Sequence, residues 1–223
     1  MNLNKKLSDI LDPNKIEVVK NPIEKAHGLP NECYLNNDYL EFEKEKIFKN
    51  NWTMIGVASS VPNPGDAKPF NLLGIPILIV RNKDNEVKVF HNVCSHRGFK
   101  LVDQECKLKN VIRCPYHSWS YDFNGKLTVT PHIGGLGKHE VEGFDKNKSN
   151  LKEIKSNIWM DLIFININSN AKPFEDFIKP LEDRWSKFIS KKDQKLIRHS
   201  TDNGYFNMTV NSNWKFAIEN YCE

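Results

Sequence analysis

The sequence has no apolar run long enough to cross a membrane. Its two longest apolar runs, residues 75–80 and 159–165, are far shorter than the roughly 20 residues of a spanning helix, and Asp161 interrupts the second. The N-terminal stretch MNLNKKLSDILDPNK also lacks the continuous apolar core and small-residue cleavage site of a secretory signal. We therefore expect no membrane partner and a cytoplasmic location.

The sequence also lacks a block of charge of either sign. Lys and Arg together number 32 and Asp and Glu number 28, which gives a net charge of +4 at pH 7. The lysines are scattered among acidic residues, whereas a nucleic-acid-binding surface clusters them with aromatic residues. This distribution is typical of an ordinary solvated surface, and we expect no nucleic-acid partner.

Cysteine is scarce and irregularly spaced. The chain has five cysteines, an odd number, and no export signal that would place them in an oxidising compartment. A disulfide framework is therefore disfavoured, and metal binding is the better explanation for cysteines that have histidine neighbours. We interpret the remaining cysteines, which have no such neighbour, as ordinary thiols: Cys33, Cys106 and Cys222.

From Trp52 onward the sequence changes to short segments rich in β-branched and aromatic residues, with turn signals such as PNPGD, NKDN and NG between them. Asn124 and Gly125 predict a two-residue hairpin turn in which both residues have positive φ. These segments predict an all-β domain. The predicted strands lie in WTMIGVASSV, GIPILIVRN, EVKVFHNV, NVIRC, SWSYDF, KLTV, LKEI and IWMDLIFININ.

Helical patterns occupy both ends of the chain. Residues 37–50 predict a surface helix after a loop-rich arm, and AKPFEDFIKPLEDRWSKFISKK predicts a helix that Pro180 breaks or kinks. LIRHSTDNGYFNMTV then predicts a strand. The final stretch NWKFAIENYCE has the pattern of a helix without a C-terminal cap, so we expect a truncated chain.

Together these segments predict an α+β fold in three parts. Residues 1–48 would form an N-terminal helical arm, residues 49–168 an all-β domain with antiparallel sheets, and residues 169–223 the beginning of a second domain.

Two cysteine–histidine pairs form the constellation that carries chemistry. Cys94 and His96 flank one residue, and after seventeen further residues Cys114 and His117 flank a Pro-Tyr pair. Two loops at strand ends could thus present one thiolate and one imidazole each to a common point. A structural zinc site would accept two sulfurs and two nitrogens. However, a mixed pair on each loop suits a two-iron cluster better, because both cysteines can bind one iron and both histidines the other.

The motifs CSHRG, at residues 94–98, and CPYHSWSYDFNGKL, at residues 114–127, resemble the Rieske domain of the ring-hydroxylating, non-heme iron oxygenases (large α subunit). The resemblance extends to IFKNNWTMIG, VPNPGD and NWKFAIENYCE, and so covers most of the chain. It implies that a 2Fe-2S cluster is held by Cys94, His96, Cys114 and His117.

Two comparisons with Rieske proteins refine this resemblance. Ser118 stands where the family usually has glycine or alanine, and a position that required positive φ would strain a serine in the second loop. Phe99 and Tyr116 occupy the places where Rieske proteins of respiratory complexes have two further cysteines joined as a disulfide. The oxygenase type is therefore favoured over the respiratory type.

The resemblance also implies what the complete protein does. Residues 169–223 would begin a catalytic domain whose mononuclear Fe(II) ligands lie beyond residue 223, and Glu223 matches the acidic residue that links the cluster of one subunit to the iron of its neighbour in homotrimers. The cluster would take electrons from a reductase or ferredoxin for O2-dependent hydroxylation or demethylation of an aromatic or quaternary-amine substrate. The ENY-x-E form resembles the quaternary-amine monooxygenases. The alternatives are a stand-alone Rieske ferredoxin-like electron carrier and a zinc-stabilised binding module.

Overall fold

A computed structural model describes residues 7–200 and 208–222, and these residues form two compact units. The first unit combines the described residues of Met1–Lys49 and Phe206–Glu223, and the second is Asn50–Tyr205. Helices together with antiparallel sheets confirm the α+β fold class. The domain boundaries after residues 48 and 168 stay predictions.

Three antiparallel sheets build the second unit. Their orders are β1-β10-β9, β4-β3-β2-β5 and β6-β7-β8. The strands are β1 (Thr53–Val57), β2 (Asp66–Leu72), β3 (Ile75–Arg81), β4 (Val87–His91), β5 (Cys106–Lys107), β6 (Ile112–Arg113), β7 (Ser120–Tyr121), β8 (Leu127–Val129), β9 (Lys155–Trp159) and β10 (Leu162–Asn166).

The central strand β3 separates two hydrophobic clusters. Leu78 and Val80 pack in the cluster that contains Cys94 and Cys114, whereas Ile77 and Ile79 pack in the cluster beneath β1 and β10. Successive side chains of a strand point to opposite faces, so β3 is buried on both sides. This explains its continuous apolar sequence, and it places one face of the strand directly behind the two cysteines.

Two segments differ from the predicted strands. β2 was not predicted, because Pro69 interrupts its pattern, yet it pairs with β3 from Ala67 to Leu72. The predicted strand LKEI is wrong, since the described chain there forms only an isolated bridge between Phe90 and Glu153.

The segment IWMDLIFININ is a hairpin and not one strand. Met160 and Asp161 form its turn with φ of 49° and 69°. The buried Asp161 carboxylate accepts hydrogen bonds from the backbone N–H groups of Ser59, at 3.1 Å, and His199, at 2.9 Å. Partners so distant in sequence stabilise a turn that contains no glycine, and no local pattern could have revealed them.

The predicted two-residue turn at Asn124 and Gly125 is wrong in detail. Gly125 has a φ of 81°, but Asn124 is not among the residues with positive φ. The Asp122 carboxylate accepts hydrogen bonds from the N–H groups of Asn124 and Lys126, both at 2.9 Å, and so favours a longer loop. Glycine is also required for space, since a Cβ at Gly125 would lie 2.6 Å from the ring of Phe90.

The helices are α1 (Pro13–Glu17), α2 (Glu32–Leu35), α3 (Asn37–Glu43), α4 (Phe174–Trp185), α5 (Lys191–Gln194) and α6 (Trp214–Cys222). A π-helical turn, Lys44–Phe48, follows α3. Pro180 lies inside α4 without ending it, so it does not break the helix, and the predicted kink stays a prediction. The described parts of LIRHSTDNGYFNMTV are not strands, and its other residues lie outside the described ranges. None of the helices in these ranges is long and apolar enough to cross a membrane.

A buried ion pair joins α3 and α6 in the first unit. The Lys215 ammonium donates to both carboxylate oxygens of Glu43, at 2.8 and 3.0 Å, and Trp214 Nε1 donates to one of them at 3.0 Å. The rings of Tyr34, Tyr39 and Trp214 have their centroids 5.2–5.3 Å from the same ammonium. Glu43 is 2% exposed and Lys215 7%. The last described helix is thereby anchored to the N-terminal arm.

Candidate metal centre

The first cysteine–histidine loop is a tight turn that follows β4. The Cys94 N–H donates to the carbonyl of Phe99 at 2.8 Å, and the Gly98 N–H donates back to the carbonyl of Cys94 at 2.9 Å. Gly98 has a φ of 69°, in the left-handed region where glycine is favoured. These two hydrogen bonds close the loop at its base and present His96 at its tip.

The second loop repeats this turn after β6. The Cys114 N–H donates to the carbonyl of Trp119 at 2.8 Å, and the Ser118 N–H donates to the carbonyl of Cys114 at 3.0 Å. Ser118 corresponds to Gly98 and has a φ of 59°, so the position does require positive φ and serine adopts it. Arg113 Nη2 donates to Ser118 Oγ at 2.9 Å, which fixes the side chain. Serine is therefore compatible with the closed second loop.

The two loops bring the four predicted ligands together. The rings of His96 and His117 have their centroids 4.8 Å apart. Cys94 and Cys114 are free thiols, each 2% exposed, behind the histidines. Burial raises the pKa of the Cys94 thiol, and Cys94 packs in the same hydrophobic cluster as Cys114. The sulfurs form one pair and the imidazoles another.

The nitrogen atoms of the histidine pair fit a metal group. Nδ1 of His96 and Nδ1 of His117 are buried, and neither has a hydrogen-bond partner among the described residues. Buried polar atoms of native proteins are normally satisfied, so two adjacent exceptions require an explanation. Burial lowers the pKa of His96, and His117 and Arg97 lower it further, which favours the neutral imidazole that metals bind.

The arrangement fits a two-iron cluster better than a single ion. The four side chains form two pairs, two adjacent imidazoles and two buried thiols. A tetrahedral zinc site needs all four ligands around one point. In a cluster with two cysteines on one iron and two histidines on the other, each pair needs to converge only on its own iron.

Aromatic rings cover the histidine side of the centre. Trp119 stacks on His96 with centroids 4.6 Å apart and an interplanar angle of 8°. Phe99 and Tyr116 contact each other across the two loops, with centroids 5.5 Å apart. An aromatic contact thus joins the positions that a disulfide joins in the respiratory type.

Sequence reasoning missed the polar role of Tyr121. The side chain is fully buried, and its hydroxyl lies 3.2 Å from Cys94 Sγ and 2.8 Å from Ser95 Oγ. Burial, and next the hydrogen bond with Cys94, raise the pKa of Tyr121, so the phenol keeps its hydrogen. The sequence signal that could have indicated this role is the position of Tyr121 in β7, the strand that follows the second loop. Glu223 lies outside the described residues.

Comparison with known proteins agrees with this geometry. Residues 51–141 match the family described as the Rieske [2Fe-2S] domain. The carnitine monooxygenase oxygenase subunit of Acinetobacter pittii is 33% identical over 199 residues, which are 89% of this chain and 51% of that protein. Residues 51–141 belong to the Rieske [2Fe-2S] domain family. The 2-aminobenzenesulfonate 2,3-dioxygenase subunit alpha of Alcaligenes sp is 27% identical, over 85% of this chain and 46% of that protein.

Solved structures of Rieske oxygenases have the same fold. A quaternary ammonium Rieske monooxygenase in complex with gamma-butyrobetaine matches with a TM-score of 0.74 and 31% identity, over 87% of this chain and 53% of the other. A naphthalene 1,2-dioxygenase with bound indole matches with a TM-score of 0.61 and 25% identity, over 70% and 34%. This chain spans about half the length of the curated carnitine monooxygenase oxygenase subunits that it matches.

Proposed function

We propose that Cys94 and Cys114 bind one iron of a 2Fe-2S cluster and that His96 and His117 bind the other. This assignment is carried by two turns with the same hydrogen-bond pattern, each with one cysteine and one histidine, whose histidine rings lie side by side. The Nδ1 atoms of both histidines are buried and have no hydrogen-bond partner in the part of the chain that the structure describes. In this ligand set the imidazoles bind as neutral groups and the thiols bind after losing their protons.

When bound, the cluster supplies one-electron transfer. The residues of this chain control access to it. Trp119 and the paired rings of Phe99 and Tyr116 shield the histidine side, while the apolar face of β3 closes the cysteine side. The histidines at the loop tips are the least enclosed ligands, so they are the side from which an electron enters or leaves.

For the complete protein the proposal is an oxygenase component. Its cluster would receive electrons from a reductase or ferredoxin and pass them to a mononuclear iron for O2-dependent hydroxylation or demethylation. The substrate would be an aromatic compound or a quaternary amine, and the higher identity to the carnitine monooxygenase subunits favours the amine. Glu223 as the electron bridge, a homotrimeric assembly, a cytoplasmic location and residues 169–223 as the start of the catalytic domain belong to this proposal.

A stand-alone carrier is disfavoured because the matches exceed the Rieske domain. The domain match ends at residue 141, whereas the oxygenase subunits align with 85–91% of the chain. A carrier would need only the β domain.

Metal and sulfide analysis of the isolated chain tests the ligand assignment. We expect two irons and two sulfides per chain and a rhombic EPR signal after reduction with dithionite. Cys114→Ser and His117→Ala should abolish this signal, because each removes an iron ligand. Cys106→Ser is the matched control, since Cys106 is exposed on β5, and it should retain the full signal. Stoichiometric zinc in a colourless protein would show that the assignment is wrong.

A further inference from the structure

A cavity of about 700 Å³ lies between the β9–β10 hairpin and α5, within the second unit. Its walls come from the turn after β1, the end of β3, the hairpin turn and residues 191–198, and none of the four proposed iron ligands lines it. The volume lies within the range of small-molecule sites. Ile158, Trp159 and Met160 of the hairpin contribute apolar surface. The cavity therefore has the space and the apolar surface that an organic ligand needs.

Positive charge exceeds negative charge around this cavity. Four cationic side chains and two carboxylates line it: Arg81, Lys191, Lys195, Arg198, Asp161 and Glu182. Glu182 forms an ion pair with Lys191 at 3.0 Å, and Asp161 already accepts the two backbone hydrogen bonds that hold its turn. Within the described ranges of the chain, Lys195 and Arg198 have no carboxylate partner. Two positive charges are therefore left in excess at the cavity wall.

Arg81 is the most enclosed of these cations. Its guanidinium donates to three backbone carbonyls at 2.7–3.0 Å, which fix the group without neutralising its charge. Burial lowers the pKa of Arg81, the Asp161 carboxylate opposes this shift, and the positive charge of Arg198 adds to it. The two guanidinium groups are thus close enough to repel each other. A bound anion would relieve this repulsion, and the planar fork of a guanidinium matches the oxygens of a phosphate.

A phosphate monoester carries up to about two negative charges at pH 7 and has three acceptor oxygens. It therefore matches the excess charge of the wall, whereas a monocarboxylate would neutralise only half of it. We propose that this cavity binds a small organic phosphate monoester, with the phosphate near Arg81, Lys195 and Arg198 and the organic group on the apolar surface of the hairpin. The site is independent of the proposed cluster, so binding is expected with or without iron.

Isothermal titration calorimetry of the chain with phenyl phosphate, in a phosphate-free buffer of low ionic strength, tests this inference. We expect one site per chain with a Kd below roughly 1 mM. Inorganic phosphate lacks the organic group and phenyl sulfate has only one negative charge, so each should bind at least about tenfold more weakly. No binding of phenyl phosphate up to about 10 mM, or equal affinity for phenyl phosphate and inorganic phosphate, would overturn the inference.

Substitutions at the cavity wall show whether phenyl phosphate binds there. Arg198→Gln should weaken its binding at least about tenfold, because a charge-assisted hydrogen bond is lost. Lys195→Gln should weaken it about threefold to tenfold, and because this exposed side chain has no partner in the described part of the chain, the fold is not at risk. Lys192→Gln is the matched control, since Lys192 is exposed on the same helix but does not line the cavity, and it should leave the affinity unchanged. Glu182→Gln releases Lys191 and should tighten binding. Equal weakening by Lys192→Gln and Lys195→Gln would mean diffuse attraction by surface charge and would also overturn the inference.

Discussion

Removing the Lys215 ammonium should strongly destabilise the first unit. The ammonium lies 2.8 Å from a Glu43 oxygen, and both side chains are almost completely buried. At an effective dielectric constant of about 20, a pair at this distance gains about 6 kcal/mol of Coulomb energy, most of which is offset by desolvation of the two charges. In Lys215→Met the desolvated carboxylate remains without its partner, and we expect a loss of about 3–5 kcal/mol of unfolding free energy.

Urea unfolding followed by far-UV circular dichroism measures this loss. The matched variant is Glu43→Gln with Lys215→Met, which removes both charges and so leaves no buried carboxylate without a partner. Because the two groups contact each other, their effects should not add, and the double variant should be more stable than Lys215→Met alone. Additive losses in the double-mutant cycle would mean that the two charges do not interact, and would refute this reasoning.

Further predictions concern backbone conformation, ionisation and thiol exposure. Gly98→Ala should lower the free energy of unfolding, measured with urea, by about 1 kcal/mol. An added Cβ would meet only Val93 Cγ1, at 4.0 Å, so the loss comes from the left-handed φ alone. Gly125→Ala should lower the free energy of unfolding by at least about 2 kcal/mol, since its Cβ would also clash with the buried ring of Phe90. The hydrogen bond to Glu219 raises the pKa of Tyr34 from 10.0 to about 12, so the folded state holds this proton more tightly than the unfolded state. Stability should therefore fall between about pH 10 and pH 12, less so in Tyr34→Phe. Iodoacetamide should modify Cys222 in the native protein but not Cys33, which is 1% exposed and has a pKa raised by burial.

The ligands of the centre could be predicted from sequence because the chemistry itself fixes their spacing. A cysteine and a histidine two or three residues apart fit one short loop, and a mixed pair on each loop distinguishes a two-iron cluster from common zinc modules. β3 and β4 were equally predictable, since β-branched residues between turn signals indicate buried strands. The features that failed depend on tertiary contacts. β2 tolerates Pro69 within its ladder, and the turn at Asp161 depends on N–H groups from residues 59 and 199.

The two loops share one backbone turn, yet their histidines occupy different positions within it. His96 is two residues after its cysteine, at the place that Tyr116 occupies in the second loop, and His117 is three residues after, at the place of Arg97. Because the turns are the same, this offset allows the two rings to meet at an interplanar angle of 64°. It also leaves Tyr116 free to contact Phe99 across the loops. The unequal spacing of the two motifs is therefore required to bring both imidazoles to one side of the centre. A loop in which the histidine is moved by one residue should fail to complete the centre.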